Sequence, residues 1–288
     1  GMCFVAETPR WLLSKGRLKE CRKVLQKIEP ENTVNDLIGQ MEVEIEKDRN
    51  SAVGWRYLMQ PWLRTPLMIA VCIMFFQQFV GINTVIYYSP KIFLMAGFES
   101  TLSAIWASVG IGIVNVVFTV ISLYLVDRIG RRKLYFIGLS GIAFSVLCLS
   151  ACFIYANQLG EIGRWLMVIF MFGYVAFFAI SIGPLGWLVI SEIFPQKVRG
   201  LGTSIGSLAV WIFNCIVSFT FFKIIDFFSI PGTEIVVGQT TSENPAGAFF
   251  LYGFIAVLGL VWGYLFLPET KGLSLEEIEQ KWRKNREC

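Results

Sequence analysis

The chain has 288 residues, of which 55% are hydrophobic and only 16% are charged, whereas about a quarter of the residues of a typical soluble domain carry charge. The net charge is +4, but no stretch combines basic residues with a soluble fold, which argues against a nucleic-acid-binding protein. Histidine is absent and the seven cysteines form no cluster with metal-ligand spacing, so we expect no metal site and no cofactor. The composition indicates an integral membrane protein.

The first 65 residues precede the long apolar segments and are predicted to contain short cytoplasmic helices. Thr8-Pro9 is typical of a helix start and Gly16 of a helix end. The chain's first four residues include neither a charged leader nor a complete apolar segment, and we expect them to be the end of a helix that begins earlier. Apolar residues recur at helical spacing in two groups, namely Leu18, Cys21, Leu25 and Ile28, then Val34, Leu37, Met41 and Ile45.

Six apolar segments are long enough to cross a bilayer, which takes about 20 helical residues. They lie at 66–95, 102–126, 134–156, 165–194, 201–228 and 247–267. An even number of spans puts both ends of the chain on one side of the membrane. We therefore predict an all-α fold with three parts: 1–65, a six-helix transmembrane bundle over 66–267, and a cytoplasmic helical segment over 268–288.

Lysine and arginine indicate the orientation of this bundle. On the side of the termini they number eleven in 1–65, four in 127–133, two in 195–200 and five in 268–288. Only Lys91, Arg164 and Lys223 remain for the other side. By the positive-inside rule both termini are predicted to be cytoplasmic, in the plasma (inner) membrane.

Two shorter segments outside the spans also carry signals. After the last span, Ser274 to Glu277 forms a capping box, and Leu275, Ile278 and Trp282 make an apolar stripe that predicts a helix. The long outer loop, about 229–246, is rich in Gly, Pro, Ser and Thr and is predicted to be irregular.

The first and fourth spans contain signals of broken helices. In the first, Gly81 follows the pair Gln77-Gln78 and precedes Asn83. In the fourth, Pro184 lies in the segment Gly183-Pro184-Leu185-Gly186 and is predicted to kink the helix. Irregular backbone at membrane depth is tolerated only inside protein or along a cavity, and paired broken helices are typical of transport sites. Ordinary tight packing of small residues is the alternative.

Amides and tryptophans lie near these breaks. An amide both accepts and donates hydrogen bonds, as a sugar hydroxyl requires, and an indole offers a flat apolar face with one N–H. We therefore predict a binding site for a neutral, polyhydroxylated ligand, although any single amide can equally serve an interhelical hydrogen bond. No carboxylate lies near the middle of a span, so no proton-carrying group is apparent. The site residues are Gln77, Gln78, Asn83, Asn115, Trp187, Trp211 and Asn214.

Five ordered motifs resemble the sugar porter family of the major facilitator superfamily, in its carboxy-terminal half. The resemblance covers nearly the whole chain. The motifs are Glu7-Thr8-Pro9-Arg10-Trp11-Leu12, Gln77-Gln78-Phe79-Val80-Gly81-Ile82-Asn83 with Tyr87-Tyr88-Ser89, Asp127-Arg128-Ile129-Gly130-Arg131-Arg132, Gly183-Pro184-Leu185-Gly186-Trp187, and Pro268-Glu269-Thr270-Lys271-Gly272.

The resemblance implies helices seven to twelve of a twelve-helix transporter together with its intracellular helices. It implies that Gln77, Gln78 and Asn83 are the main sugar ligands, with the other four site residues around them. It also implies a cytoplasmic salt-bridge network that stabilises the outward-facing state. The residues implied for this network are Glu7, Arg10, Arg128, Arg131, Arg132, Glu192 and Arg199.

Two positions depart from the family pattern: Val210 stands where relatives have an amide, and Ala179 where glucose facilitators have a glutamate. The substrate therefore remains open among monosaccharides, as does proton symport against facilitated diffusion. Because alternating access needs two bundles, we expect this chain to work with an amino-terminal six-helix half, in the lipid bilayer. The alternatives are a non-transporting sugar-binding sensor or inert remnant and, as a third variant, a homodimer of halves. No arrangement of catalytic groups predicts an enzyme.

Overall fold

A computed structural model of the chain describes residues 7–28, 30–50, 55–98, 100–195, 198–228, 235–237 and 240–272. The chain divides into two compact units, Gly1–Tyr57 and Leu58–Cys288. The predicted C-terminal helix around Leu275, Ile278 and Trp282 lies outside the described residues, as does the expected helix end before Glu7.

The first unit contains three helices, α1 (Pro9–Ser14), α2 (Leu18–Leu25) and α3 (Glu31–Asn50). Thr8 caps α1 as predicted, because its hydroxyl oxygen accepts a hydrogen bond from the backbone N–H of Trp11 at 3.4 Å. Two of the apolar residues that recur at helical spacing, Leu18 and Ile28, are exposed. Helix α2 begins at Leu18 and ends before Ile28. On α3 the structure buries Ile38 rather than Leu37. The core of the unit consists of Leu12, Cys21, Leu25, Val34 and Ile38.

The second unit is a bundle of helices, and its described residues contain six helical segments that are long and apolar enough to cross a membrane. This confirms the predicted all-α bundle with six spans. Two of the spans are each made of two helices in series, α5 with α6 and α9 with α10. A short helix, α4 (Trp55–Leu58), lies in the chain at the boundary between the two units. The helices of the second unit are a short 3-10 helix (Pro61–Leu63), α5 (Arg64–Phe79), α6 (Ile82–Met95), α7 (Thr101–Ile129), α8 (Arg131–Ile154), α9 (Ala156–Ile180), α10 (Ile182–Ile193), α11 (Arg199–Phe227) and α12 (Ala246–Phe266).

Helix α8 is largely buried, whereas α7 is mostly exposed. Twelve residues of α8 are buried, where it packs against α9 and α12. Only three of the 29 residues of α7 are buried, and α7 packs against α6 and α9. Helices α7, α10 and α12 end on the same side, where α8 and α11 begin. We call this side, with Arg128, Arg131, Arg132, Lys133, Arg199 and Lys271, the basic end.

The first span is broken at Gly81, which separates α5 from α6. Its φ of +87° lies in the left-handed region, which residues with a Cβ rarely adopt. A Cβ at this position would also lie 2.3 Å from the ring of Tyr252. Glycine is therefore required here both for the backbone conformation and for the approach of α12. The predicted break is present, directly between Gln78 and Asn83.

The fourth span is broken at Ser181, whose φ of −126° and ψ of −100° end α9 and start α10. The break precedes Pro184 by three residues, so the kink lies earlier than the proline itself. Because Pro184 has no N–H and its ring would clash with the carbonyl of Ile180 in a continuous helix, the helix stops at Ile180. Pro184 then lies in the first turn of α10, where proline is tolerated.

The loop between α11 and α12 differs from the prediction. Strands β1 (Ile235–Val237) and β2 (Thr240–Ser242) form an antiparallel pair within it. The prediction of an irregular loop rested on its Gly, Pro, Ser and Thr content. It gave too little weight to the β-branched residues Ile, Val and Thr, which favour strands.

Candidate functional site

A cavity of about 310 Å³ lies beside both helix breaks. Ligand pockets in proteins measure about 300–1,000 Å³, so its size suits a small molecule. Five of the seven predicted site residues line it, and none of the lining residues is charged. The lining residues are Gln77, Gln78, Ile82, Asn83, Ile86, Asn115, Thr119, Phe178, Ala179, Gly183, Pro184, Trp187 and Val210.

Three amides connect the two broken helices by hydrogen bonds. Asn83 Nδ2 donates to Gln78 Oε1 at 2.5 Å, and Gln78 Nε2 donates to Gln77 Oε1 at 3.3 Å. Gln77 Nε2 then donates to the carbonyls of Ile182 and Gly183, at 3.1 and 2.7 Å. Gln77 and Gln78 are buried, and each has hydrogen-bond partners for both its N–H₂ group and its oxygen, as is usual for buried polar groups. The amide series therefore ties α6 and α5 to the start of α10.

Two further amides, on α7 and α11, form hydrogen bonds outside this series. The carbonyl oxygen of the Asn115 side chain lies 3.4 Å from the hydroxyl of Thr119, one turn later on α7. Asn214 Nδ2 donates to the hydroxyl of Tyr87 at 3.3 Å, and Asn214 Oδ1 accepts from Ser218 at 3.0 Å. Asn115 and Thr119 line the cavity, whereas Asn214 connects α11 to α6 and is not among the lining residues.

The two tryptophans occupy different positions. Trp187 lines the cavity on α10 and is 41% exposed. Trp211 is 67% exposed and is not among the lining residues, although its neighbour Val210 is. The cavity therefore includes Gln77, Gln78, Asn83, Asn115 and Trp187 of the predicted set, and excludes Trp211 and Asn214.

Several lining residues were not predicted from the sequence, among them Thr119 and Phe178. Thr119 lies one helical turn from Asn115, and that spacing could have indicated it. Phe178 lies just before the break at Ser181, but an aromatic residue in an apolar span carries no separate signal. The break exposes one face of α9 to the cavity, and only the structure shows which one.

A second cavity, of about 360 Å³, adjoins the first toward the basic end. The two share Pro184 and Trp187. Its other lining residues are Ser122, Leu123, Val126, Leu188 and Ser191. Its surface is almost entirely apolar, so a polar ligand would find its hydrogen-bond partners in the first cavity.

At the basic end, Arg131 and Glu192 form an ion pair between α8 and α10. Arg131 Nη2 lies 2.9 Å from Glu192 Oε1, and the two side chains are 13% and 20% exposed. Arg131 Nη2 also lies 3.2 Å from the exposed carboxylate of Asp127. Glu192 Oε2 accepts from the hydroxyl of Thr270 at 2.5 Å. This mostly buried pair ties together α8, α10 and the segment after α12.

Glu269 caps the start of α8, a contact that the sequence did not predict. Its carboxylate accepts from the backbone N–H groups of Arg131 and Arg132 at 3.1 and 3.2 Å. A carboxylate at a helix N-terminus satisfies free N–H groups and complements the helix dipole. A cap from a residue 138 positions away leaves no local sequence pattern.

The other residues of the predicted network do not take part in the Arg131–Glu192 ion pair. Arg132 Nη2 donates to the carbonyl of Tyr264 at 2.8 Å, and the carbonyl of Arg128 accepts from Lys271 Nζ at 2.7 Å. Arg199 Nε and Nη2 are buried without a hydrogen-bond partner among the residues that the structure describes. Glu7 and Arg10 belong to the first unit and are exposed there.

Comparison with known proteins identifies this architecture. A family model described as "Sugar (and other) transporter" matches residues 1–282. The D-xylose-proton symporter of Escherichia coli (strain K12) is 34% identical over 278 residues, which cover 96% of this chain and 53% of the symporter. The glucose transporter GlcP of Staphylococcus epidermidis is 35% identical over 283 residues, which cover 98% of this chain and 59% of GlcP.

Solved structures agree with the sequence comparison. The proton:xylose symporter XylE bound to 6-bromo-6-deoxy-D-glucose matches with a TM-score of 0.71 and 33% identity, over 96% of this chain and 55% of XylE. An inward-open structure of XylE from E. coli matches with the same TM-score and 29% identity. The chain spans just over half the length of these relatives. These relatives are transporters and not enzymes, and the chain belongs to the family of sugar transporters.

Proposed function

We propose that this chain takes part in the transport of a neutral monosaccharide, a pentose or a hexose, across the plasma membrane. In this proposal it forms one of two six-helix bundles that move about a shared site, which is how alternating access operates in transporters built from two repeats. The proposal follows from its family and from the length that it shares with relatives such as the D-xylose-proton symporter and GlcP.

The observation that carries the proposal is the chemistry of the cavity at the helix breaks. All its polar side chains are neutral amides or hydroxyls, apart from the indole of Trp187. A charged solute would lose its hydration there without gaining a counter-charge. A polyol instead meets groups that both donate and accept hydrogen bonds. An uncharged sugar is therefore the ligand that suits this cavity.

The contacts suggest a division of roles within the site. Gln77 directs its N–H groups to the carbonyls of α10, while its carbonyl oxygen accepts from Gln78. A sugar hydroxyl would bind the Gln77 oxygen as a second donor, and would bind Gln78 and Asn83 by replacing the hydrogen bond between them. Asn115 acts from the opposite helix, and Trp187 offers its ring to the apolar face of the sugar. Trp211 and Asn214 lie outside the cavity wall and would act at its edge.

The ion pair at the basic end supports a role in conformational switching. Arg131 and Glu192, with Arg128, Arg132, Arg199, Glu7 and Arg10, would form the cytoplasmic network of the outward-facing state. A mostly buried pair contributes state preference more than bulk stability. With both termini cytoplasmic, as the distribution of basic residues indicates, this network lies on the inner side of the membrane.

Coupling to protons is a separate question. The cavity has no ionisable side chain among the residues that line it, and proton transport needs a protonatable group at membrane depth. A symport mechanism would therefore use a group outside this cavity. Uptake measured with and without a proton uncoupler distinguishes the symport from facilitated diffusion.

Uptake of labelled sugar tests the proposal. The chain is produced in cells that lack sugar transporters, either alone or together with an amino-terminal six-helix half encoded upstream of it. Uptake of a labelled sugar is then measured in competition with unlabelled xylose, glucose, galactose and inositol. We expect uptake only with both halves. Uptake by the chain alone would disprove the need for a second half. If neither form bound any of these sugars, the proposed ligand would be wrong. Sugar binding without uptake in the two-half form would favour a sensor.

A further inference from the structure

The break between α5 and α6 sets the distance between two proposed sugar ligands. Gln78 is the penultimate residue of α5 and Asn83 the second residue of α6. The backbone between them contains Gly81 in its left-handed conformation. Any rotation at Gly81 moves Asn83 relative to Gln78. The geometry of the site therefore depends on what keeps this break in one conformation.

A tyrosine from another span bonds directly to the break. The hydroxyl of Tyr174, on α9, donates to the carbonyl of Val80 at 2.8 Å. The break withdraws this carbonyl from the regular helical pattern, and a buried carbonyl needs a partner. Tyr174 is fully buried and does not line the cavity. It contacts the backbone that carries the ligands but is not itself part of the cavity wall.

Tyr252 packs against the break from a second direction. Its ring occupies the space where a Cβ of residue 81 would lie, and it belongs to α12. Thr84 completes the arrangement, because its hydroxyl donates to the carbonyl of Gly81 at 2.7 Å. The two residues of the break, Val80 and Gly81, are thus each held by a buried tyrosine from a different helix.

We propose that Tyr174 is a positioning residue for sugar binding, whose hydroxyl holds the break so that Asn83 and Gln78 face the ligand together. The inference rests on the proposed function. Tyr174→Phe removes one oxygen atom and keeps the ring that fills the space. The freed carbonyl of Val80 then favours other backbone conformations. We expect sugar to bind about three- to tenfold more weakly, as for the loss of one buried hydrogen bond.

The chain offers a matched control in Tyr135. It is fully buried on α8, does not line the cavity, and donates its hydroxyl to the carbonyl of Gly259 at 3.0 Å. Tyr135→Phe therefore removes the same kind of hydrogen bond between two spans, away from the break. Both variants should lose comparable thermal stability, but only Tyr174→Phe should lose affinity for sugar.

The test combines sugar affinity with hydrogen exchange, in the form of the protein that binds sugar. Tyr174→Phe should raise backbone exchange across residues 79–86, whereas Tyr135→Phe should not. In a double-mutant cycle, Tyr174→Phe should have little effect once Asn83→Ala is present, because the tyrosine acts through Asn83.

Each outcome decides one point. Additive effects in the cycle, or equal losses of affinity in the two Tyr→Phe variants, would reduce Tyr174 to a general stabilising role and overturn the inference. An unchanged affinity for sugar in Tyr174→Phe would also overturn the inference. If the unaltered protein bound no sugar at all, the proposed function would fail and the inference with it.

Discussion

Asn83 and Gln78 bind each other across the break in the first span, with Asn83 Nδ2 only 2.5 Å from Gln78 Oε1. The two amides thus satisfy part of each other's hydrogen-bonding capacity in the cavity wall. A sugar hydroxyl placed between them can accept from one and donate to the other. The site can therefore exchange an internal hydrogen bond for two bonds to a ligand.

The first expectation concerns this pair. Asn83→Ala removes the donor and leaves one sugar hydroxyl unpaired, so binding should weaken by about 1–3 kcal/mol, the cost of an unpaired buried polar group. Equilibrium binding of radiolabelled sugar measures this change. Asn35→Ala, which alters an amide on α3 of the first unit, serves as the control and should leave the affinity unchanged. An unchanged affinity in Asn83→Ala would place the ligand elsewhere.

The ion pair at the basic end leads to a second expectation. Glu192→Gln keeps an acceptor for Thr270 but removes the charge that pairs with Arg131, whose side chain is 13% exposed. The free energy of unfolding should fall by about 1–3 kcal/mol, because a mostly buried charge loses its partner. Thermal unfolding in detergent measures the loss.

The exposed pair between Arg17 and Glu20, at 2.6 Å, is the control for that experiment. An ion pair in contact with water contributes little to stability. Arg17→Ala should therefore shift the unfolding temperature much less than Glu192→Gln. Equal shifts would show that the burial of the Arg131–Glu192 pair is energetically unimportant.

A third expectation tests the close approach of α8 to the break at Ser181. A Cβ on Gly138 would lie 1.6 Å from Ser181 Oγ, so Gly138→Ala should destabilise the bundle by about 1–3 kcal/mol through overpacking. Ser181→Gly in the same chain should recover part of the loss. Gly112→Ala is the control, since nothing lies within 4 Å of a Cβ there. Equal unfolding temperatures for Gly138→Ala and Gly112→Ala would contradict the packing.

The fourth expectation concerns Cys21 in the first unit. Burial raises the pKa of this thiol above its ordinary value of 9.0, and the side chain has no exposed surface. Since only the thiolate reacts, alkylation by N-ethylmaleimide at pH 7 should be slow in the folded protein and fast after denaturation in detergent. Mass spectrometry of the peptide that contains Cys21 measures both rates. Equal rates would show that the core of the first unit is open.

Features that depend on local composition could be predicted from the sequence alone. Six apolar segments predict six spans, and Gly81 and Pro184 predict breaks, because each acts on its own few residues. The second break lies three residues before the predicted position, because a proline disturbs the helical turn that precedes it. The irregular residue is therefore Ser181 and not Pro184. The two strands between α11 and α12 were not predicted, because the turn-forming residues of this loop were given more weight than its β-branched residues.

Contacts between distant residues could not be predicted from local patterns. Tyr174 resembles any aromatic residue of an apolar span, and only the structure shows its hydroxyl at Val80. In the sequence, the same argument predicts Trp187 and Trp211 as site residues. In the structure, the rotation of α11 places Val210 in the cavity wall and Trp211 outside it. Four of the five proposed ligands that line the cavity lie on the two broken spans, and the fifth, Asn115, lies on α7.

The position of Glu269 bears on where the chain can be shortened. A version that ended at Leu267 would retain every span, yet the first N–H groups of α8 would lose their acceptor, and Glu192 would lose the hydroxyl of Thr270. The short stretch beyond the last hydrophobic helix thus belongs to the bundle's architecture. The smallest stable form of this bundle should therefore extend through Lys271, whose amine reaches back to the carbonyl of Arg128.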